Sequence, residues 1–337
     1  MKFITTITFS TCILPFLFGI CTAQTLSKKD YDKILNKTNS HAIIGLGEAE
    51  HFYKGYYNTK VEVVKYLIHN ESIDIIALEA SVNATALLND YINGSLTIDL
   101  PQTLTALNEP YALQEAGLFN CSEIVEFIEW LKDYNHSHKK TIKLVGMDFQ
   151  NYSFPLEKLK VYSSKYQVEK IDQTKALLDS SMRSVIDSNI MIITSQAWIK
   201  RLQRAQNYIK NLKDEIYNDA NQRLFSELEQ FTTLWDNPMF PRDSIMYENL
   251  TPYIDGKSKV LIWAANFHLE KDPFFKGPKK LGVFLNEKYG GKYCVIGVSD
   301  QIHEYSTNLI YPPMDRLSDK YEMIINVPKG DKCVIID

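Results

Sequence analysis

Basic character is what this chain most clearly lacks. Its 37 Lys and Arg are outnumbered by 41 Asp and Glu, for a formal net charge of −4, and no Lys/Arg-rich run occurs along it. A nucleic-acid-binding surface shows itself as a basic patch or stripe, so the composition argues against a nucleic-acid partner. Cysteine is scarce as well. Of five in 337 residues, Cys12 and Cys21 fall in an apolar leader, leaving Cys121, Cys294 and Cys333. Three is an odd number, so at most one disulfide can form. No metal-ligand spacing links the three, and buried free thiols are the plain reading. No His-x-x-x-His pair occurs. Internal repeats and disordered tracts are also absent, and the length suits one large domain or two small ones.

What is present begins with the leader. Met1-Lys2 precedes an uncharged apolar stretch from Phe3 to Ile20, followed by the small residues Cys21-Thr22-Ala23 and then Gln24. A basic start, an apolar centre and a small-x-small exit describe a secretory signal peptide. The competing membrane-anchor reading is disfavoured by Pro15 and by that exit. The expectation is a signal peptide over 1–23 and an exported chain over 24–337, starting near Gln24 with no membrane span.

Strand-like apolar runs then alternate with helical periodicity. Ala42 to Gly47, Ile73 to Leu78, Ile142 to Met147, Lys259 to Trp263 and Tyr293 to Val298 read as strands, with edge strands at Met323 to Val327 and Cys333 to Ile336. Val61, Val64, Leu67 and Ile68 mark one helix, Ala84 to Asn93 a second, Ile124 to Leu131 a third and Leu281 to Tyr289 a fourth. Leu96 to Leu118, with Pro101 and Pro110, reads as a long loop. Residues 156–250 carry no convincing strand and read as an inserted helical layer or subdomain. The fold class is therefore α/β, a largely parallel sheet flanked by helices.

Four of the strand-like runs end in polar groups: Glu48 and His51, Glu79, Asp148, and Asn266 with His268. In open α/β sheets chemistry gathers beyond the carboxyl ends of the strands, so the set suggests one built site. Glu48 and His51 are three apart, a spacing that lets a carboxylate fix an imidazole's tautomer and makes His51 a candidate general base. Taken singly, His51 could be a surface loop histidine, Glu79 a salt-bridge partner and Asp148 a turn cap. Four strand ends with the same property favour the site.

These residues resemble the erythromycin esterase family. The resemblance rests on Gly47-Glu48-Ala49-Glu50-His51, which looks like the family's G-E-x-x-H start, and on Ala77-Leu78-Glu79 and Asn89 to Gly94. It continues through Tyr134-Asn135, Gly146-Met147-Asp148, Arg242 to Asn249, Trp263 to His268 and Leu281 to Leu285. It implies hydrolysis of a small-molecule ester or lactone by water, with no cofactor and no metal. The catalytic set it implies is His51, Glu48, Glu79 and His268, with Arg242, Asn266 and Asp148 on the substrate. Arg242 has a structural alternative, as half of an Arg-Asp pair opening a helix. Three positions depart from the family pattern: Ala265 where His is usual, Phe52 in place of a glycine, and Gly55 where Glu is usual. Two alternatives stay beside the hydrolase: a metal-dependent hydrolase using the same carboxylates and histidines, and a binding homologue without turnover.

Overall fold

The computed structural model describes residues 26–71, 73–107, 118–187, 196–236, 242–271, 278–300 and 320–333. The leader and the start near Gln24 lie outside them. Six strands form one parallel sheet: β1 (Ile43–Glu48), β2 (Ile75–Ser81), β3 (Lys143–Asp148), β4 (Val260–Ala265), β5 (Tyr293–Ser299) and β6 (Met323–Asn326). Their order is β3-β2-β4-β1-β5-β6. β1, β2 and β5 are buried along their whole length, as expected where helices cover both faces of a parallel sheet.

The described helices are α1 (Lys28–Thr38), α2 (Lys54–Glu71), α3 (Val82–Ile92), α4 (Leu100–Thr105), α5 (Ser122–Ser137), α6 (Ser153–Leu159), α7 (Lys165–Asp187), α8 (Gln196–Ile216), α9 (Gln222–Asp236), α10 (Arg242–Leu250), α11 (Asn266–Leu269) and α12 (Leu281–Tyr289). Period-2 alternation sends Ile44, Leu46, Ile76, Leu261 and Trp263 to one face, where Val64 and Leu67 of α2 and Phe127 and Ile128 of α5 meet them. It sends Ile43, Ile75, Ala77, Val260 and Ile262 to the other, against Met246 and Leu250 of α10 and Leu281 and Leu285 of α12. A third core lies among α6 to α9, centred on Leu156, Trp198, Leu202, Ile209, Leu228 and Phe231. α10 joins the layers. Its Ile245 enters the helical core while Met246 and Leu250 enter the sheet core, which delivers the first turn of α10 to the carboxyl ends of the strands.

One expectation changes, and another lies mostly outside the described residues. The segment read as a loop from Leu96 contains α4, because Asp99 caps it by accepting from Gln102 N and a proline occupies its first turn. Of the expected edge strand from Cys333 to Ile336, only Cys333 falls within the described residues. The residue before it, Lys332, makes a single antiparallel bridge to Tyr53.

Candidate active site

β1 ends in Glu48, and the chain turns through His51 before α2 begins. His51 Nδ1 lies 2.8 Å from Glu48 Oε1. A carboxylate is acceptor-only, so this contact favours the neutral tautomer with its proton on Nδ1, in which Nε2 is an acceptor. The His51 side chain is 31% exposed, while Glu48 is buried. Below them Lys60 of α2 is completely buried. Its ammonium donates to Glu48 Oε2, approaches Ala264 O at 3.3 Å and lies 4.4 Å from the centre of the Trp263 ring. Burial pushes the Lys60 pKa down to about 8, against the opposing pull of Glu48. The result is a chain, Lys60 to Glu48 to His51, in which only the last group meets solvent.

β2, β3 and β4 end in a second network. Glu79 at the end of β2 accepts from Arg242 Nη2 at 2.8 Å and from the backbone N of Ala265 at 2.9 Å. Asp148 at the end of β3 takes the Arg242 fork at both oxygens, 3.2 Å from Nε and 2.5 Å from Nη2, a bidentate geometry that guanidinium suits. His268 of α11 lies between two carboxylates, Nδ1 at 2.8 Å from Asp243 and Nε2 at 3.3 Å from Glu79. Burial alone would discharge His268. Glu79 and Asp243 outweigh it and raise the pKa to about 10, so the ring is an imidazolium donating from both nitrogens. Arg242 Nη1, 3.2 Å from His268 Nε2, is then a like-charged neighbour held by the shared Glu79. Burial likewise pushes Glu79 up, but the charges of His268 and Arg242 hold it well below the usual carboxylate range.

The two networks are neighbours because β4 lies between β1 and β2 in the sheet. Glu48 is in register with Ala265, whose N–H reaches Glu79. The sheet thus brings together six of the seven residues read from the sequence. Asn266 is placed differently. Its Nδ2 donates to Val298 O at 3.2 Å, and a Cβ added at Gly47 would strike its Oδ1. It braces the ends of β1 and β5, and it is 2% exposed. Sequence reasoning missed Lys60 as a partner of Glu48, and Asp243 as the second carboxylate on His268. Both signals were present: Lys60 falls on the helical face of Val64 and Leu67, and Asp243 sits in the first turn of a helix.

The three departures from the family pattern also acquire physical settings. Phe52 adopts φ 70°, a left-handed conformation in which glycine has no penalty and a phenylalanine does. Gly55 is met by a C-terminal strap: Gly55 N donates to Lys329 O at 2.8 Å, Lys54 N to Asp331 O at 3.0 Å and Cys333 N to Phe52 O at 2.7 Å. A Cβ at Gly55 would collide with the carbonyl of Pro328, so a glutamate has no room there. Ala265 stands at the N-terminus of α11, beside Glu79.

A family model described as erythromycin esterase matches residues 68–301, a span that starts after Glu48, His51 and Lys60. Erythromycin esterase type I of Escherichia coli is 19% identical over 283 residues, covering 74% of this chain and 67% of that one. Erythromycin esterase type II of the same organism is 21% identical over 332 residues, covering 85% and 74%. Among solved structures, an erythromycin esterase mutant in its open conformation superposes with a TM-score of 0.53 at 19% identity, covering 82% of this chain and 74% of that one. That structure shares the fold. The family match spans most of the chain and takes in Glu79, Asp148, Arg242 and His268, and the chain accordingly belongs to the erythromycin esterase family.

Proposed function

We propose that this protein hydrolyses an ester or lactone of a small molecule, with His51 as the general base that activates water. One observation carries the reading: His51 is held at Nδ1 by the buried Glu48 while, among the described residues, nothing engages its Nε2. Water bound at Nε2 gives up a proton as its oxygen attacks the substrate carbonyl. The resulting imidazolium, stabilised by Glu48, returns that proton to the departing alkoxide. Charge developing on the carbonyl oxygen meets the positive groups of the neighbouring network, Arg242 and His268, at the same strand ends. Lys60 donates to Glu48 and holds that carboxylate in place, which makes it a positioning residue.

Metal independence is part of the proposal. Glu79, Asp148 and Asp243 already compensate Arg242 and His268, so a metal would have to displace internal cations. Substrate size follows from Phe52, whose ring stands edge-on to His51 with centroids 6.1 Å apart and fills space that a glycine leaves open. Alanine at 265 also removes a side-chain donor. Smaller esters are therefore expected to outperform fourteen-membered macrolides.

The test is turnover on a panel of small esters, lactones of graded ring size and erythromycin. His51→Ala should lose ~10²-fold or more, the usual scale of general-base catalysis, with an unchanged melting temperature. Absence of wild-type turnover on the whole panel would favour the binding homologue. Loss of activity to a chelator with recovery on zinc or manganese would favour the metal-dependent hydrolase. Export is proposed alongside, on the apolar leader. Secreted material should begin near Gln24, and a retained Met1 refutes cleavage.

A further inference from the structure

The strap that braces the turn after His51 ends, within the described residues, in Cys333. That cysteine packs against one from a distant part of the chain. Cys121, buried, is the N-cap residue of α5. Its sulfur, that of Cys333 and a carboxylate oxygen of Glu123 lie within 4.8 Å of one another. The third cysteine of the mature chain, Cys294, is buried in β5 within the sheet core. Of the pairings open to the three cysteines, this is the one the fold assembles.

We propose that Cys121 and Cys333 are a disulfide-forming pair whose oxidation fastens the C-terminal strap to the start of α5. The two thiols lose two protons and two electrons to a low-molecular-weight disulfide, which leaves as two thiols, and one sulfur–sulfur bond forms between the cysteines. The exchange passes through a mixed disulfide on one cysteine, displaced by the other. A hydrogen bond that the Cys333 thiol donates to Cys121, with burial, raises the Cys333 pKa, so the exchange is favoured by mildly alkaline buffer.

A metal site built from the same atoms is less well supported. Among the described residues it would have three protein ligands, where structural zinc sites use four. The Glu123 carboxylate also faces the Lys54 ammonium at 3.8 Å. The disulfide needs neither Glu123 nor a fourth ligand. Its consequence is local, because the strap's backbone bonds to Phe52, Lys54 and Gly55 become anchored covalently beside His51. The proposal stands independently of the reaction the protein catalyses.

The full chain should be incubated with oxidised glutathione at pH 8, alkylated while native, then unfolded, digested and mapped by mass spectrometry. The expected result is a single cross-linked pair joining the peptides of Cys121 and Cys333, with Cys294 still a thiol. The melting temperature should rise by roughly 5 °C or more for a bridge closing so long a loop. Dithiothreitol should reverse the rise, and Cys333→Ser should abolish it while melting like the reduced wild type. Glutathionylated or free Cys121 and Cys333 with no cross-link would overturn the proposal. So would stoichiometric zinc in the purified protein that is lost in both Cys121→Ser and Cys333→Ser.

Discussion

Two histidines stand at the carboxyl ends of one sheet and are treated in opposite ways. His51 has one nitrogen on a carboxylate, the other open among the described residues, and a third of its side chain in solvent. His268 has a carboxylate at each nitrogen and lies buried. The first arrangement leaves an imidazole able to take a proton. The second fixes an imidazolium that cannot. A histidine's chemistry here is decided by how many carboxylates face it and by how far water reaches, and both follow from which strands are neighbours.

The largest way to break this contrast is to remove the cation that keeps the buried network neutral enough to exist. Arg242→Ala leaves Glu79 with His268 alone and takes away the guanidinium that holds Asp148. Uncompensating a buried pair costs about 3–5 kcal/mol, and denaturant unfolding should register a loss of that order. A loss below about 1 kcal/mol would mean that the network is hydrated and weakly coupled.

The next test is pH. His268 has a folded pKa of about 10 against about 6.5 unfolded. The folded state therefore binds the proton more tightly, so its contribution is fully present below pH ~6.5 and fades as pH rises through about 10. The melting-temperature gap between wild type and His268→Gln should narrow across that interval. A gap constant with pH would show that His268 is neutral in the fold.

The smallest effect is expected at Phe52. Relief of the left-handed backbone favours Phe52→Gly, while the greater freedom of glycine in the unfolded chain opposes it. The net gain should be at most about 1 kcal/mol. A clear loss of stability would show that the ring contributes more packing than the strain costs.

The strand ends were legible in the sequence because each buried parallel strand needs a continuous apolar run, and a charge following such a run is conspicuous. Glu48, Glu79, Asp148 and His268 were found in that way. The order of the strands was not legible. Nothing local says that β4 enters between β1 and β2, and that insertion is what brings Ala265 N to Glu79 and the two networks side by side. Lys60 was missed because a lysine in a helix is ordinarily solvated, and its burial against Trp263 depends on a strand two hundred residues away. Asn266 was read with the substrate groups because it follows a strand end. Its glycine neighbours, Gly47 and Gly297, which make room for the amide, come from other strands.

The division of labour between the two rings is best tested by nitrogen-15 NMR of histidine-labelled protein, using His51→Gln and His268→Gln for assignment. At pH 8 the account predicts protons on both nitrogens of His268, and a neutral form of His51 with its proton on Nδ1 and a bare Nε2. A neutral His268 at that pH, or a neutral His51 carrying its proton on Nε2, would contradict it.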